Sequence, residues 1–420
     1  MIPKVSVIIP VYNVSEYLFD CIDSICNQTL REIEVLCVND GSTDKSLEIL
    51  RDYETKDKRV HVFENSTNMG QSFSRNKALS HAKGEFIYFM DSDDILGASA
   101  LEYLYTEAQK CDLDVIYFDA YVFYKDESLA KKYSHKVNAY QRKEEYANVV
   151  SGTELLEILH RNNEYIVSPC LQFIRKTLLI ENNISFYEGI IYEDNLFSLE
   201  IILSAKRASH RRKPFYHRRI RDNSTTTARY TFKNFYGYFV CWIQMYAMQI
   251  KHENNDKIFN EIEYERNKIK KIMVKIFNSL EPDEKEKIKS LSLLEAQLLC
   301  DVIPKNINAS YVPNNELSKA NNELSKANNE LTKANNELTK ANNELTKANN
   351  ELSKSAKLSN RNMTFYKNEV IAIRSSYSYR IGRFITFIPR KIRGVVRCYR
   401  DHGMRYTLRE IKKKLLSLKV

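Results

Sequence analysis

The sequence predicts an α/β fold, a mostly parallel sheet with flanking helices, and three observations carry that prediction. Through the first 124 residues, short apolar runs rich in β-branched side chains alternate with helical stretches, the rhythm of βαβ units. Polar acidic turns close two of those runs, at Asn39 to Asp44 and at Asp91 to Asp94, on the edge where open α/β sheets receive ligands. The run entering the second turn, Glu85 to Met90, is continuously aromatic and aliphatic from Phe86 on, as a strand covered on both faces requires.

Taken in order, Val5 to Tyr12 reads as a buried first strand, with Pro10 placed where a missing donor is tolerated, near a strand's end. Asn13 to Ser15 supply a turn and a cap for a helix from Glu16 to Asn27. A second strand, Ile33 to Val38, is followed by a helix from Lys45 to Thr55, a strand from Val60 to Glu64 and a helix from Gln71 to Ala82. Beyond the acidic turn come a helix from Ala98 to Lys110 and a strand from Val115 to Tyr124. Residues 125 to 150 are polar enough to read as a solvent-facing loop or hairpin. A helix from Gly152 to Asn162, a strand from Val167 to Arg175 and a short helix to Asn182 precede a helix that opens at Tyr192 and runs to Ala205. Helices from Phe232 to Ile250, Lys257 to Leu280 and Asp283 to Cys300 make a small helical unit expected to pack on the first domain.

Asp91-Ser92-Asp93-Asp94 places three carboxylates in four residues. They repel one another unless water or a cation neutralises them, and hard oxygen donors suit magnesium or manganese shared with a phosphate. No Gly-x-Gly-x-x-Gly follows the first strand and no Gly-Lys-Ser/Thr loop occurs, which argues against a dinucleotide Rossmann site and a P-loop. A nucleotide remains compatible with Asp40 as an acceptor for base or ribose, and with Arg75 and Lys77 as phosphate or carboxylate partners.

Four motifs in order, Pro10-Val11-Tyr12-Asn13, Asn39 to Asp44, Asn68-Met69-Gly70 with Ser74-Arg75-Asn76, and Asp91 to Asp94, resemble glycosyltransferase family 2, inverting enzymes of the GT-A fold. The resemblance runs over about residues 3 to 225. It implies that Asp40 contacts the nucleotide base, that Pro10, Tyr12 and Asn13 lie beside it, and that Arg75 borders the nucleotide pocket. It implies further that Asp91 and Ser92 face the donor, and that Asp93, helped by Asp91, holds Mn2+ or Mg2+. Glu193-Asp194 resembles the family's Glu-Asp pair, which makes Asp194 the expected catalytic base. Ser74 stands where the family more often has Ala, without disturbing Arg75. His217, Arg219 and Arg221, in the basic stretch His210 to Asp222, are candidates for contact with the donor diphosphate. The implied reaction moves a sugar from a nucleoside diphosphate donor, expected to be a uridine diphosphate sugar, to a saccharide hydroxyl of a lipid-linked or surface oligosaccharide. The alternative is an inactive GT-A-like scaffold working through the rest of the chain.

The net charge of +10 is unevenly placed. Residues 361 to 420 hold 16 Lys or Arg against Glu369, Asp401 and Glu410, which leaves the first 360 residues slightly acidic. Around Ile381 to Tyr399 apolar residues at helical spacing are surrounded by arginines, a pattern suited to an anionic membrane interface rather than to nucleic acid. Between Asn314 and Ser355 a seven-residue repeat puts Leu317, Leu324, Leu331, Leu338, Leu345 and Leu352 in one heptad position, with Ala in the other. The expected organisation is therefore a catalytic domain (1–225), a helical extension (226–312), a homo-oligomerising coiled coil (314–355) and a basic membrane-associating tail (361–420). Eight scattered cysteines without a Cys-x-x-Cys pattern suggest reduced thiols. The expected location is cytoplasmic, peripheral on the inner face of the membrane.

Overall fold

The computed structural model describes residues 3–134, 137–221 and 229–291, with Glu295, Lys333, Glu337, Lys340 and Glu344 as isolated positions beyond them. Residues up to Lys287 form one compact unit, which holds the elements below. They are β1 (Val5–Val11), α1 (Leu18–Cys26), β2 (Ile33–Asn39), α2 (Ser46–Lys56), β3 (Val60–Glu64), α3 (Gln71–His81), β4 (Phe86–Phe89) and β5 (Ile95–Leu96). Next come α4 (Ala100–Lys110), β6 (Val115–Tyr117), β7 (Ala120–Tyr124), α5 (Glu127–Lys132), α6 (Gly152–Arg161), β8 (Gln172–Arg175) and α7 (Lys176–Glu181). The unit ends with α8 (Asp194–Ser204), β9 (Ala208–His210), β10 (Tyr216–Ile220), α9 (Phe232–Lys251) and α10 (Asp256–Ser279).

The main sheet has the order β3-β2-β1-β4-β8-β6-β9. Only β8 runs antiparallel to its neighbours, so the sheet is mostly parallel as expected. Alternation along β1 divides the core into two layers. Val5, Val7, Ile9 and Val11 pack with α1, α2 and α4, whereas Ile8 faces the layer of α3, α6 and α8. Pro10 costs no ladder bond: on the β4 side the pairing ends at Ile8, whose carbonyl accepts from Met90 N–H at 3.0 Å.

The strand expected from Val115 to Tyr124 is two strands in two sheets. Its first half, β6, stays in the main sheet, while β7 joins a small sheet of order β5-β10-β7. The corner is Asp119, buried, with a carboxylate that takes Arg142 Nη1 at 2.8 Å and the ring of His210 at 3.0 Å. Burial is the chief reason that the His210 pKa lies below its usual value. Arg142 comes from the stretch read as a solvent-facing loop. It is instead fully buried, drawn in because a buried carboxylate requires a partner.

α9 and α10 pack on the α6 and α8 layer through Cys241, Met245, Ile262 and Ile269. His160 of α6 is held between Glu261 and Glu265 of α10, 2.9 Å from the latter. Of the helix expected from Asp283 to Cys300, Pro282–Glu286 is helical, and beyond Leu291 only Glu295 is described. The basic tail lies outside the described residues, as does the heptad segment apart from Lys333, Glu337, Lys340 and Glu344, which are helical and exposed. None of the described helices is long and apolar enough to cross a membrane, and the six described cysteines are free thiols.

Glu200 on α8 yields a pH prediction. Burial pushes its pKa up to about 7, with Lys251 acting weakly in the opposite sense. The folded state therefore binds this proton more tightly than the unfolded chain, and stability falls as pH rises from the ordinary glutamate range to about 7. Glu200→Gln should be more stable than the parent by roughly 1–3 kcal/mol at pH 8, with the gain vanishing near pH 4.5. Urea denaturation at the two pH values measures it.

Candidate active site

Three parallel strands, β1, β2 and β4, end side by side, with Val11 opposite Asn39 in the register. The loops at their carboxyl ends contribute Pro10, Val11 and Tyr12, then Asp40, and then all four residues from Asp91 to Asp94 to the wall of one cavity of about 580 Å³. The N-termini of α3 and α8 complete it, the first adding Gly70 and Gln71 and the second Glu193 and Asp194.

Asp40 is buried and organises the nucleotide side of the cavity. Its Oδ1 accepts from Asn65 Nδ2 at 2.7 Å and Met69 N–H at 2.9 Å, and its Oδ2 accepts from Gly70 N–H at 2.9 Å. A carboxylate has about four lone-pair sites, so Asp40 keeps roughly one for a ligand. Gly41 lets the two loops close: with φ +69°, a Cβ there would stand 2.8 Å from the Thr67 backbone. Asn13, also at positive φ, does not line the cavity. Its side chain accepts from Thr43 N–H at 2.8 Å and pins the second loop from outside. Tyr12, by contrast, lines the cavity and is 46% exposed, an open aromatic face beside Asp40.

Each acidic residue of the Asp91 to Asp94 turn has a different partner. Asp91 Oδ1 accepts from Arg75 at 2.9 Å and from Gln71 at 3.0 Å. Asp93 Oδ2 accepts from Arg221 at 2.7 Å. Asp94 is buried, and its oxygens take the Tyr216 hydroxyl at 2.6 Å and the Arg219 N–H at 2.7 Å. Burial, together with the charge of Asp93, raises the pKa of Asp94 well above the carboxylate range. The partners of Asp93 and Asp94 come from β10 and the residue just past it because β5, which follows the turn, pairs with that strand, Leu96 opposite Tyr216.

Arg75 lies beneath the cavity rather than in its wall. The side chain is 1% exposed, stacked 4.8 Å from the Phe186 ring centroid, with Nη1 at 3.2 Å from Asp194 and 3.4 Å from Glu193. Burial raises the Asp194 pKa, against the opposing charge of Arg75. Burial and then Asp194 push Glu193 up to about 7, with Arg75 again opposing. Asp194 Oδ1 faces Arg75, and Oδ2 has no donor among the described residues, as is true of Asp91 Oδ2 and Asp93 Oδ1. Three hard, unpartnered carboxylate oxygens thus belong to residues lining one cavity.

Of the residues expected to bind donor or metal, Pro10, Tyr12, Asp40, Asp91, Ser92 and Asp93 line the cavity, as does Asp194. Arg219 also meets Asp20, at 2.8 Å, and His217 meets the Tyr121 hydroxyl at 2.8 Å. Sequence reading missed Arg218 and Lys233, which both line the cavity. For Arg218 a signal existed in strand alternation; for Lys233, at the start of a helix expected to carry no chemistry, there was none.

A family model, Glycosyl transferase family 2, matches residues 6–181. Those residues belong to that family. The chain is 34% identical over 233 residues to the uncharacterized glycosyltransferase EpsJ of Bacillus subtilis (strain 168), covering 55% of this chain and 65% of that protein. It is 33% identical over 215 residues to the cholesterol galactosyltransferase of Borreliella burgdorferi (strain ATCC 35210 / DSM 4680 / CIP 102532 / B31), covering 51% of this chain and 59% of that protein. The chain thus spans somewhat under two thirds of these relatives. The crystal structure of S. aureus TarS 1-349 in complex with UDP-GlcNAc superposes with a TM-score of 0.53 at 23% identity, covering 70% of this chain and 83% of that one. The likeness is one of fold, GT-A.

Removing the cation at the centre of this site should be costly. Arg75→Met leaves Asp91, Glu193 and Asp194 facing one another, and breaking such a buried pair typically costs about 3–5 kcal/mol. The loss should show in chemical denaturation at pH 8 and shrink toward pH 5, where protonation relieves the repulsion.

Proposed function

We propose that this protein transfers a sugar from a nucleoside diphosphate donor, a uridine diphosphate sugar, to a hydroxyl of a saccharide acceptor, with inversion at the anomeric carbon. The observation that carries the reading is the pattern of open oxygens: Asp91 Oδ2 and Asp93 Oδ1 from the turn after β4, and Asp194 Oδ2 from the start of α8, all on residues lining one cavity. Family membership of residues 6–181 and the glycosyltransferase relatives support the reaction class. TarS, the fold neighbour, holds a donor of this kind.

Each part of the cavity has a task in this reading. Tyr12 offers its face to the base, and the remaining lone pair of Asp40 accepts from the base edge. Mn2+ or Mg2+ fits Asp91 and Asp93: these ions are commonly bound by one or two carboxylates with substrate phosphates, and among the described residues no three His, Cys, Asp or Glu converge as a complete cage. When bound, the ion neutralises diphosphate charge as the glycosidic bond breaks. Asp194 accepts the acceptor proton on Oδ2 while Arg75 holds Oδ1, so the acceptor oxygen attacks from the face opposite the departing diphosphate. A single displacement of that kind inverts the anomeric centre. The helix N-terminus under Asp194 and the Arg75 charge both favour its ionised, proton-accepting form.

For the carboxyl-terminal third we keep the sequence reading, a homo-oligomer through the heptads and a peripheral hold on anionic membrane through the tail, with a lipid-linked or surface saccharide as acceptor. Sedimentation mass and vesicle binding, compared with a chain ending at Pro313, test it. Loss of neither property on truncation would remove both proposals.

Donor binding and turnover separate the catalytic roles. Asp194→Asn should keep donor affinity within a few-fold and lower turnover by about 10²–10⁴. Asp93→Asn should instead lose manganese-dependent nucleotide affinity. Calorimetry with UDP and a screen of nucleotide sugars, with and without manganese, read both. Equal loss of donor affinity in the two variants would remove Asp194 from the base role.

A further inference from the structure

The cations around the cavity are not all spoken for. Arg219 of β10 is tied to Asp20 and to the Asp93 carbonyl, and Arg221, just past the strand, to the Asp93 carboxylate. Arg218, the residue before Arg219 on β10, also lines the cavity, yet its guanidinium makes no hydrogen bond or ion pair among the described residues. It is nevertheless held in place, lying over the Tyr140 ring at 4.7 Å from the centroid. A cation whose orientation is fixed by an aromatic face while its donors stay open to a cavity is prepared for an external anion.

Lys233 is the second such group. It stands in the first turn of α9, is exposed, lines the same cavity and has no ion partner among the described residues. A lysine there opposes the helix dipole; the acid at that turn, Glu284 from farther along the chain, accepts from the Phe232 N–H at 2.6 Å and forms no ion pair with Lys233 among the described residues. The position is fixed by packing. Asn234 Nδ2 donates to the Tyr192 hydroxyl at 2.8 Å, Tyr238 stacks on Tyr192 with centroids 4.1 Å apart, and Gly237 fits so closely that a Cβ would stand 2.3 Å from the Ile191 carbonyl. These contacts lock the start of α9 to the loop leading into Asp194.

We propose that Arg218 and Lys233 form a subsite for a phosphoryl group carried by the acceptor, a phosphomonoester or phosphodiester near the hydroxyl that is glycosylated. The inference deepens the glycosyl-transfer reading and rests on it. Lys233 decides between acceptor and donor as the source of the phosphoryl group: it stands at a helix start anchored to the residues leading into Asp194, the proposed base, whereas the donor is assigned to Asp40, Tyr12 and the Asp91 to Asp94 turn; the Arg218 charge acts on Asp194 as well as on Asp91 and Asp94.

The test uses the full chain, Arg218→Gln, Lys233→Gln and the double variant, each titrated calorimetrically with UDP and manganese, and then, with UDP bound and without it, with glycerol 3-phosphate and with glycerol. Glycerol 3-phosphate should bind the parent and glycerol should not, the double variant should lose that binding at least tenfold, and UDP affinity should change less than threefold. A tenfold loss of UDP affinity in the double variant would assign the two cations to the donor diphosphate and overturn the proposal. Equal binding of glycerol 3-phosphate to parent and variant, or none to the parent, would also overturn it. A parent that binds no UDP counts against the nucleotide-sugar reading itself, a separate failure from these.

Discussion

Three carboxylates from two distant parts of the chain meet around one buried guanidinium, and the site depends on that meeting. Asp91 closes β4, Glu193 and Asp194 open α8, and Arg75 touches all three within 3.4 Å from a helix that belongs to neither. Without the cation the acids would repel or take up protons, and the end of β4 and the start of α8 would lose their common reference point. Arg75 thereby links the group read as metal-binding to the group read as base. Its Nε remains without a partner, a buried donor left unsatisfied while the rest of the guanidinium meets its three acids.

Around that hub the loops are fixed by acids acting as hydrogen-bond acceptors rather than as charges. Asp40 holds the segment from Asn65 to Gly70 through three donors, and Asp94 holds β10 through the Tyr216 hydroxyl and the Arg219 N–H. At the corner between the two sheets Asp119 acts both ways, accepting from the Arg142 N–H and pairing with the Arg142 guanidinium. In each case the carboxylate lies at a strand's end or at a corner, where the backbone leaves the ladder and its polar groups need new partners.

Much of this was legible in the sequence because the signals were local. The period of the apolar runs gave β1 to β4 and their helices nearly to the residue, and acidic clusters at strand ends located the cavity. What escaped was non-local. The strand read from Val115 to Tyr124 breaks because Asp119 finds Arg142 and His210, residues 23 and 91 positions away. Polarity made residues 125–150 look solvated, and nothing nearby in sequence marks Arg142 as buried. In sequence Arg75 reads as bordering the nucleotide pocket and as a partner for phosphate or carboxylate; motif position alone does not reveal that Asp91, Glu193 and Asp194 all meet it. The pairing of β5 with β10, which decides which arginines serve the acidic turn and which is left over, joins residues about 120 apart.

That pairing also means that ancestry and mechanics draw the domain differently. The stretch matching the family ends at Glu181, yet the partners of Asp93 and Asp94, the proposed base and the helix start that buttresses it all follow that residue. A fragment cut at the family limit would keep the motif acids and Arg75 but lose the groups that hold Asp93 and Asp94. It would also bare the edge of β6 that β9 covers, and the apolar layer beneath α8. The smallest piece of this chain able to hold the acidic turn in shape therefore extends at least through β10, and the start of α9 is part of the cavity wall.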